Sequence, residues 1–231
     1  MNRLSTLAVT AAALVAATIV LQAQDLSHYR EFRLGSTLAS VEKATGVATS
    51  EAKSIQQRPG RIEELRWRPS ERYNDKMVAT EPVREVIFTF YNDQLFKIAV
   101  DYDRQRTEGL TDTDLIDSIS TRYGVSILQA TDLPTRALAL TRSPDGDAVV
   151  ARWSDADTSL TLVRGTYPTT LRLILALTST DALARNAAAE AARLDRDEAP
   201  QREAERVNRM AEDSRVAAEK ARVVNKPLFK P

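Results

Sequence analysis

Six short runs of this chain alternate apolar and polar side chains with a period of two, and that pattern narrows the folds open to it. The runs cover 64–68, 85–91, 95–102, 148–153, 159–164 and 170–178. In the second, Val86, Phe88 and Phe90 alternate with Ile87, Thr89 and Tyr91. In the third, Phe96, Ile98, Val100 and Tyr102 alternate with Lys97, Ala99 and Asp101, and Leu171, Leu173, Leu175 and Leu177 line one side of the last run. Strands that are apolar on one side pair into an antiparallel sheet with one face wet and the other in need of cover. Asn92-Asp93-Gln94 reads as a tight hairpin between the second and third runs.

The cover is written just upstream of each set of three strands. Gly35-Ser36-Thr37 opens a short helix in which Leu38, Val41 and Ala44 fall at helical spacing and Gly46 stands at the C′ stop. Gly109-Leu110-Thr111 opens a second, with Thr111 as cap, Asp114 as its capping-box partner, and Leu115, Ile119 and Tyr123 as an apolar stripe ending at Gly124. Leu65-Arg66-Trp67 has a counterpart in Ala151-Arg152-Trp153. The expected fold class is α+β: two tandem α-β-β-β units, 24–105 and 106–180, forming an antiparallel sheet with helices on one face.

From Asp181 the character changes to a charged, alanine-rich extension, 181–231, with eleven basic and ten acidic residues. Glu198 with Arg202, and Glu205 with Arg209, are i, i+4 pairs suited to an exposed helix. Pro200 is expected to divide it into two pieces. Val207, Met210, Ser214, Ala217, Ala221 and Val224 then form a thin heptad stripe, which leaves self-association through this helix open beside a plain solvent-exposed helix. Residues 226–231 read as a frayed end.

At the other end, Arg3 precedes an uncharged Ala-, Val- and Leu-rich stretch, 4–21, and Leu21 and Ala23 suit cleavage after residue 23. Residues 1–23 therefore read as a signal peptide, with an uncleaved N-terminal anchor as the alternative. Both place the bulk outside the cytoplasm, and the expected location is periplasmic or secreted.

Thirty-two basic and thirty-two acidic residues cancel, so nothing global directs the chain to nucleic acid. The absence of cysteine excludes disulfides, thiolate metal sites and cysteine nucleophiles. His28 is the single histidine, which excludes multi-histidine metal sites and reads as an exposed residue near the mature terminus. The seven glycines are dispersed and form no phosphate loop. Pro144-Asp145-Gly146 is a turn, and Asp145 with Asp147 lacks the remaining oxygen ligands of a calcium loop. No cofactor, metal or catalytic residue is expected.

The best candidate binding surface lies between Arg58 and Arg72. Period-two geometry puts Arg66 and Arg68 on the wet side of a strand whose Leu65 and Trp67 point inward, with Arg58 and Arg61 just before it. Guanidinium groups so spaced suit a carboxylate or phosphate on a partner. Equally, they suit an edge strand guarded by charge, with Glu63, Glu64 and Glu71 close enough to neutralise it.

The helix starts carry a resemblance. Gly35-Ser36-Thr37-Leu38-Ala39-Ser40-Val41, ending at Gly46, resembles the Gly-x-Thr-x-x-x-Val opening of the SmpA/OmlA-type outer-membrane assembly lipoproteins, and the segment from Gly109 to Leu115 looks like a second copy. Two such units in tandem resemble the β-lactamase inhibitor protein architecture. The resemblance implies helices on one face of an antiparallel sheet and an envelope role in binding or inhibition. The chain departs from those families in having no lipidation or disulfide cysteine and in its long C-terminal helix.

The functional expectation is an exported, non-catalytic, inhibitor-like module that binds another envelope protein or macromolecule. The alternatives are an envelope hydrolase using paired carboxylates, with Asp101 and Asp103 as the pair, and a structural spacer held by an uncleaved leader.

Overall fold

The computed structural model describes residues 25–69, 81–129, 142–143, 146–166 and 169–228. The expected signal peptide, 1–23, lies outside them, as do Glu71, Arg72, Pro144, Asp145 and residues 229–231 of the expected frayed end. The chain runs through β1 (His28–Tyr29), β2 (Phe32–Arg33), α1 (Leu38–Thr45), β3 (Lys53–Gln56), β4 (Ile62–Trp67), β5 (Val83–Tyr91) and β6 (Gln94–Tyr102). It continues through α2 (Arg104–Thr107), α3 (Asp112–Tyr123), β7 (Leu128–Gln129), β8 (Ala148–Ser154), β9 (Thr158–Thr166), β10 (Thr169–Leu177) and α4 (Thr178–Asn225). This is an α+β fold with one eight-stranded antiparallel sheet in the order β3-β4-β5-β6-β10-β9-β8-β7. Two runs of four strands therefore meet at the β6–β10 pair, each preceded by a short helix.

The helix starts follow from their caps. Thr37 accepts from the Ser40 N–H, and Gly46 closes α1 in the left-handed region at φ 73°. Thr111 and Asp114 form a reciprocal capping box at α3, whose hydrogen bonds from Thr111 hold the Asp114 carboxyl below its usual range. Asn92 and Asp93 both take positive φ, as a two-residue hairpin turn requires, and Gln94 already belongs to β6.

Alternation divides the sheet cleanly. Leu65, Trp67, Phe88, Ile98, Val100, Leu162, Leu173 and Leu175 belong to one core on the inner face, joined by Val41 of α1 and by Leu115 and Ile116 of α3. The alternate positions, Arg66, Glu85, Asp101, Arg152 and Thr161 among them, form the outer face.

Three expectations change. First, His28 is not a loose terminal residue. It lies in the β1–β2 hairpin, whose flanks and strands place Leu26, Tyr29, Phe32 and Leu34 in the core. The Phe32 ring centroid is 4.6 Å from Phe88 and 5.3 Å from Trp67, and the Tyr123 hydroxyl donates to the His28 carbonyl. Burial drives this: four large apolar groups in nine residues are costly to leave in water.

Second, Phe96 does not share a face with Ile98. The β5–β6 register shifts between Thr89 and Phe90, and the resulting bulge turns Phe96 outward beside Lys97. There Phe96 and Ile62 pack on Ala184 of α4, with Tyr91 and Leu177 at the rim. Gly60 abuts this rim, and a Cβ there would lie 2.5 Å from the Tyr91 ring, which would have to shift.

Third, Pro200 does not divide the C-terminal helix. α4 runs through it for 48 residues, about 72 Å at 1.5 Å per residue. The Arg202 guanidinium donates to the carbonyl of Asp195, just before the proline, and to its carboxylate. Only Ala184 and Ala187 of α4 are buried, and every residue from 201 to 228 is exposed. The helix thus crosses the outer face of the first half of the sheet, touches Arg58 through Glu198 at 3.7 Å, and then projects into solvent. Among the described residues no helix is long and apolar enough to cross a membrane.

Candidate functional site

The four arginines singled out by the sequence all meet carboxylates. Arg66, on the outer face of β4, and Arg68, just past its end, both converge on Glu85, at 3.4 and 3.1 Å. Arg66 also meets Glu64 at 3.6 Å, Arg61 meets Glu63 at 3.3 Å, and Arg58 meets Glu198 of α4. Glu85 is buried to 7% exposure, so the guanidinium pair above it compensates a carboxylate largely removed from water. The structure gathers Arg66 and Arg68 about one internal acid and leaves Arg58 and Arg61 apart from them.

The paired acids at the end of β6 are also engaged. Asp101, 2% exposed, is gripped by the Arg172 guanidinium through two hydrogen bonds and by Arg84 at 3.2 Å. Asp103 accepts from the Gln105 and Arg106 N–H groups as the cap of α2. His28 holds Asp25 at 2.7 Å, and the Ser27 hydroxyl hydrogen-bonds to Asp25, which lowers its pKa. Ser27 also lies 3.2 Å from the same imidazole nitrogen that faces Asp25. One nitrogen thus serves both neighbours, whereas a nucleophilic triad uses the two ring nitrogens separately. Among the described residues no group of three or more His, Asp or Glu is placed to hold a metal.

A different feature stands on the outer face of the second half. Where α4 has crossed away towards β4, strands β8, β9 and β10 are left open, and a groove of about 410 Å³ lies between them and the first turns of α4. This is the size of pockets that take small ligands or a few side chains. Its floor carries Val163, Ile174 and Ala176, Ser159 and Thr161 add hydroxyls from β9 beside those of Ser143 and Thr178, and two cations enter it from the sheet, Lys97 from β6 and Arg152 from β8. Asp181 and Arg185 of α4 form the wall and pair with each other at 2.7 Å. Among the described residues neither Lys97 nor Arg152 lies within ion-pair distance of a carboxylate; Lys97 has only the Phe96 ring, 5.7 Å away.

Arg152 was visible in the sequence as the counterpart of Arg66, but the signal was incomplete. What marks it is the neutral residue diagonal to it on the neighbouring strand, and that requires the register. Lys97 was hidden for the same reason and by the bulge beside it. No protein-family model, curated protein or solved structure matches this chain.

Proposed function

We propose that this protein is an exported, non-catalytic binding module of the cell envelope that holds another macromolecule in the open groove on the outer face of its sheet. The observation that carries this reading is a pair of cations, Lys97 and Arg152, that have no acid partner among the described residues and stand over a partly apolar floor. Among the described residues the other arginine clusters on that face, about Glu85 and about Asp101, are matched to acids, so the groove is where charge is kept for something outside the protein. The leader-like 1–23 supports export, and the order of the eight strands supports two copies of one unit, a short helix followed by four strands rather than the three expected from the sequence, with α1 and α3 on the same face. That arrangement is the reason for keeping the SmpA/OmlA-type resemblance, and the tandem inhibitor-protein architecture, within this proposal.

A photo-crosslinking side chain at Thr161, in cells expressing the full chain, tests it. A discrete adduct from Thr161, and none from Ser118 on the exposed side of α3, is the expected result. No adduct from Thr161, or the same adduct from both positions, refutes it.

The projecting part of α4 favours a second use, as a spacer or self-association arm, because Val207, Met210 and Val224 stand exposed on the heptad stripe. Val207→Glu with Met210→Glu would then lower the mass measured by sedimentation. An unchanged mass removes the self-association arm.

A further inference from the structure

The two halves of the sheet are related strand for strand by their registers. In the first half Trp67 stands opposite Val86, and Val86 opposite Val100; in the second, Trp153 stands opposite Leu160, and Leu160 opposite Leu175. Stepping one residue from these rows onto the outer face matches Arg66 with Arg152, Glu85 with Ser159, and Asp101 with Ala176. The central β6–β10 pair obeys the same relation, since Arg172 lies opposite Asp101 and Lys97 lies opposite Ala176.

In the first half every one of these cations has its acid. Arg66 reaches diagonally to Glu85, and Arg172 reaches across to Asp101. In the second half both acids are missing, replaced by Ser159 and Ala176, while both cations remain as Arg152 and Lys97. Ser159 and Ala176 are themselves register partners, so their Cβ atoms lie about 5 Å apart. The groove opens directly over them. Its only carboxylate among the described residues, Asp181, is held by Arg185.

We infer that the groove is a binding site for a pair of carboxylates brought by the ligand, which take the places that Glu85 and Asp101 fill internally in the first half. This inference rests on the groove being the binding surface. Arg152 and Lys97 supply the charge, the Ser159 and Thr161 hydroxyls supply further donors, and Ile174 receives the carbon skeleton between the acids.

Glutarate and the peptide acetyl-Glu-Ala-Glu-amide offer this chemistry from a free acid and from a protein segment, with glutaramide as the neutral control. Each is titrated into the purified full chain while the amide signals of Arg152, Ser159 and Thr161 are followed by NMR. Saturable shifts with glutarate or the peptide, and none with glutaramide, are expected. The tighter of the two identifies the source. Lys97→Gln with Arg152→Gln should weaken binding by about ten- to a hundredfold. Ser159→Glu with Ala176→Asp restores the internal acids, so the protein should keep its thermal midpoint and lose the response. Binding undiminished by that restoration overturns the inference, and so does the absence of shifts with both acids. If Thr161 still crosslinks a partner in either case, the binding surface stands and only its carboxylate chemistry falls.

Discussion

Replacing Phe32 with alanine asks whether the β1–β2 hairpin is part of the fold or an appendage to it. Phe32 is 2% exposed and lies against the Phe88 and Trp67 rings. Removing a buried phenylalanine side chain costs about 3–5 kcal/mol, of which each aromatic contact contributes roughly 0.5–1.5. The hairpin has few other anchors, namely Leu26, Tyr29 and Leu34 in the core and the Tyr123 hydroxyl on the His28 carbonyl. The cavity is therefore expected to loosen the whole segment, and the cost should lie in the upper part of that range. In a protein of this size it lowers the thermal midpoint by about 10–15 °C. Urea unfolding followed by tryptophan fluorescence measures it well, because Trp67 touches Phe32 and Trp153 sits in the second half of the same core. Coincident transitions at a lower midpoint are expected. A loss below about 1 kcal/mol would refute the reasoning, since only a hairpin lying on the surface could lose this ring so cheaply.

Other expectations follow from single contacts. Asp101→Asn leaves Arg172 and Arg84 facing each other without their acid and should cost about 2–3 kcal/mol in urea, because both guanidiniums remain partly wet. Burial pushes the Tyr102 hydroxyl up from 10.0 to about 12, and raises Tyr29 and Tyr123 as well. The folded state therefore binds these protons more tightly. The stability this contributes is whole below pH 10 and is lost as pH rises through 12, so the urea midpoint should fall in that window, and less steeply in Tyr102→Phe. Pro200→Ala should raise helicity by circular dichroism without moving the unfolding midpoint, because nothing in α4 beyond Ala187 is buried. Thr111→Ala removes one partner of the α3 capping box and should cost about 1 kcal/mol by the same urea assay.

Much of the fold was legible because local rules and burial agree in it. The alternating runs became β4, β5, β6, β8, β9 and β10, and the capped segments after Thr37 and Thr111 became α1 and α3. Legibility failed where a nonlocal contact overrode a local rule. Leu26, Tyr29, Phe32 and Leu34 follow neither a period of two nor one of 3.6, so only the core they enter explains them. Phe96 changed sides because one extra residue entered its strand, and a single-residue slip reverses every face assignment upstream of it. Pro200 was tolerated inside a helix with no core to disturb beyond Ala187.

The candidate site was the least legible part, and the reason is geometric. Arg66 meets Glu85 nineteen residues away, while the matching pair in the second half, Arg152 and Ser159, is seven residues apart. Loop length sets those separations and strand register sets the contacts, so no fixed spacing in the sequence reports which arginine has its acid. The amino-acid order by itself determined the strands, the caps and the side of each strand that must be buried, because those depend on neighbours along the chain. Which charges cancel, and where two of them stand over an open groove with no acid partner among the described residues, was decided only when β6 paired with β10 and α4 crossed one half of the sheet and not the other.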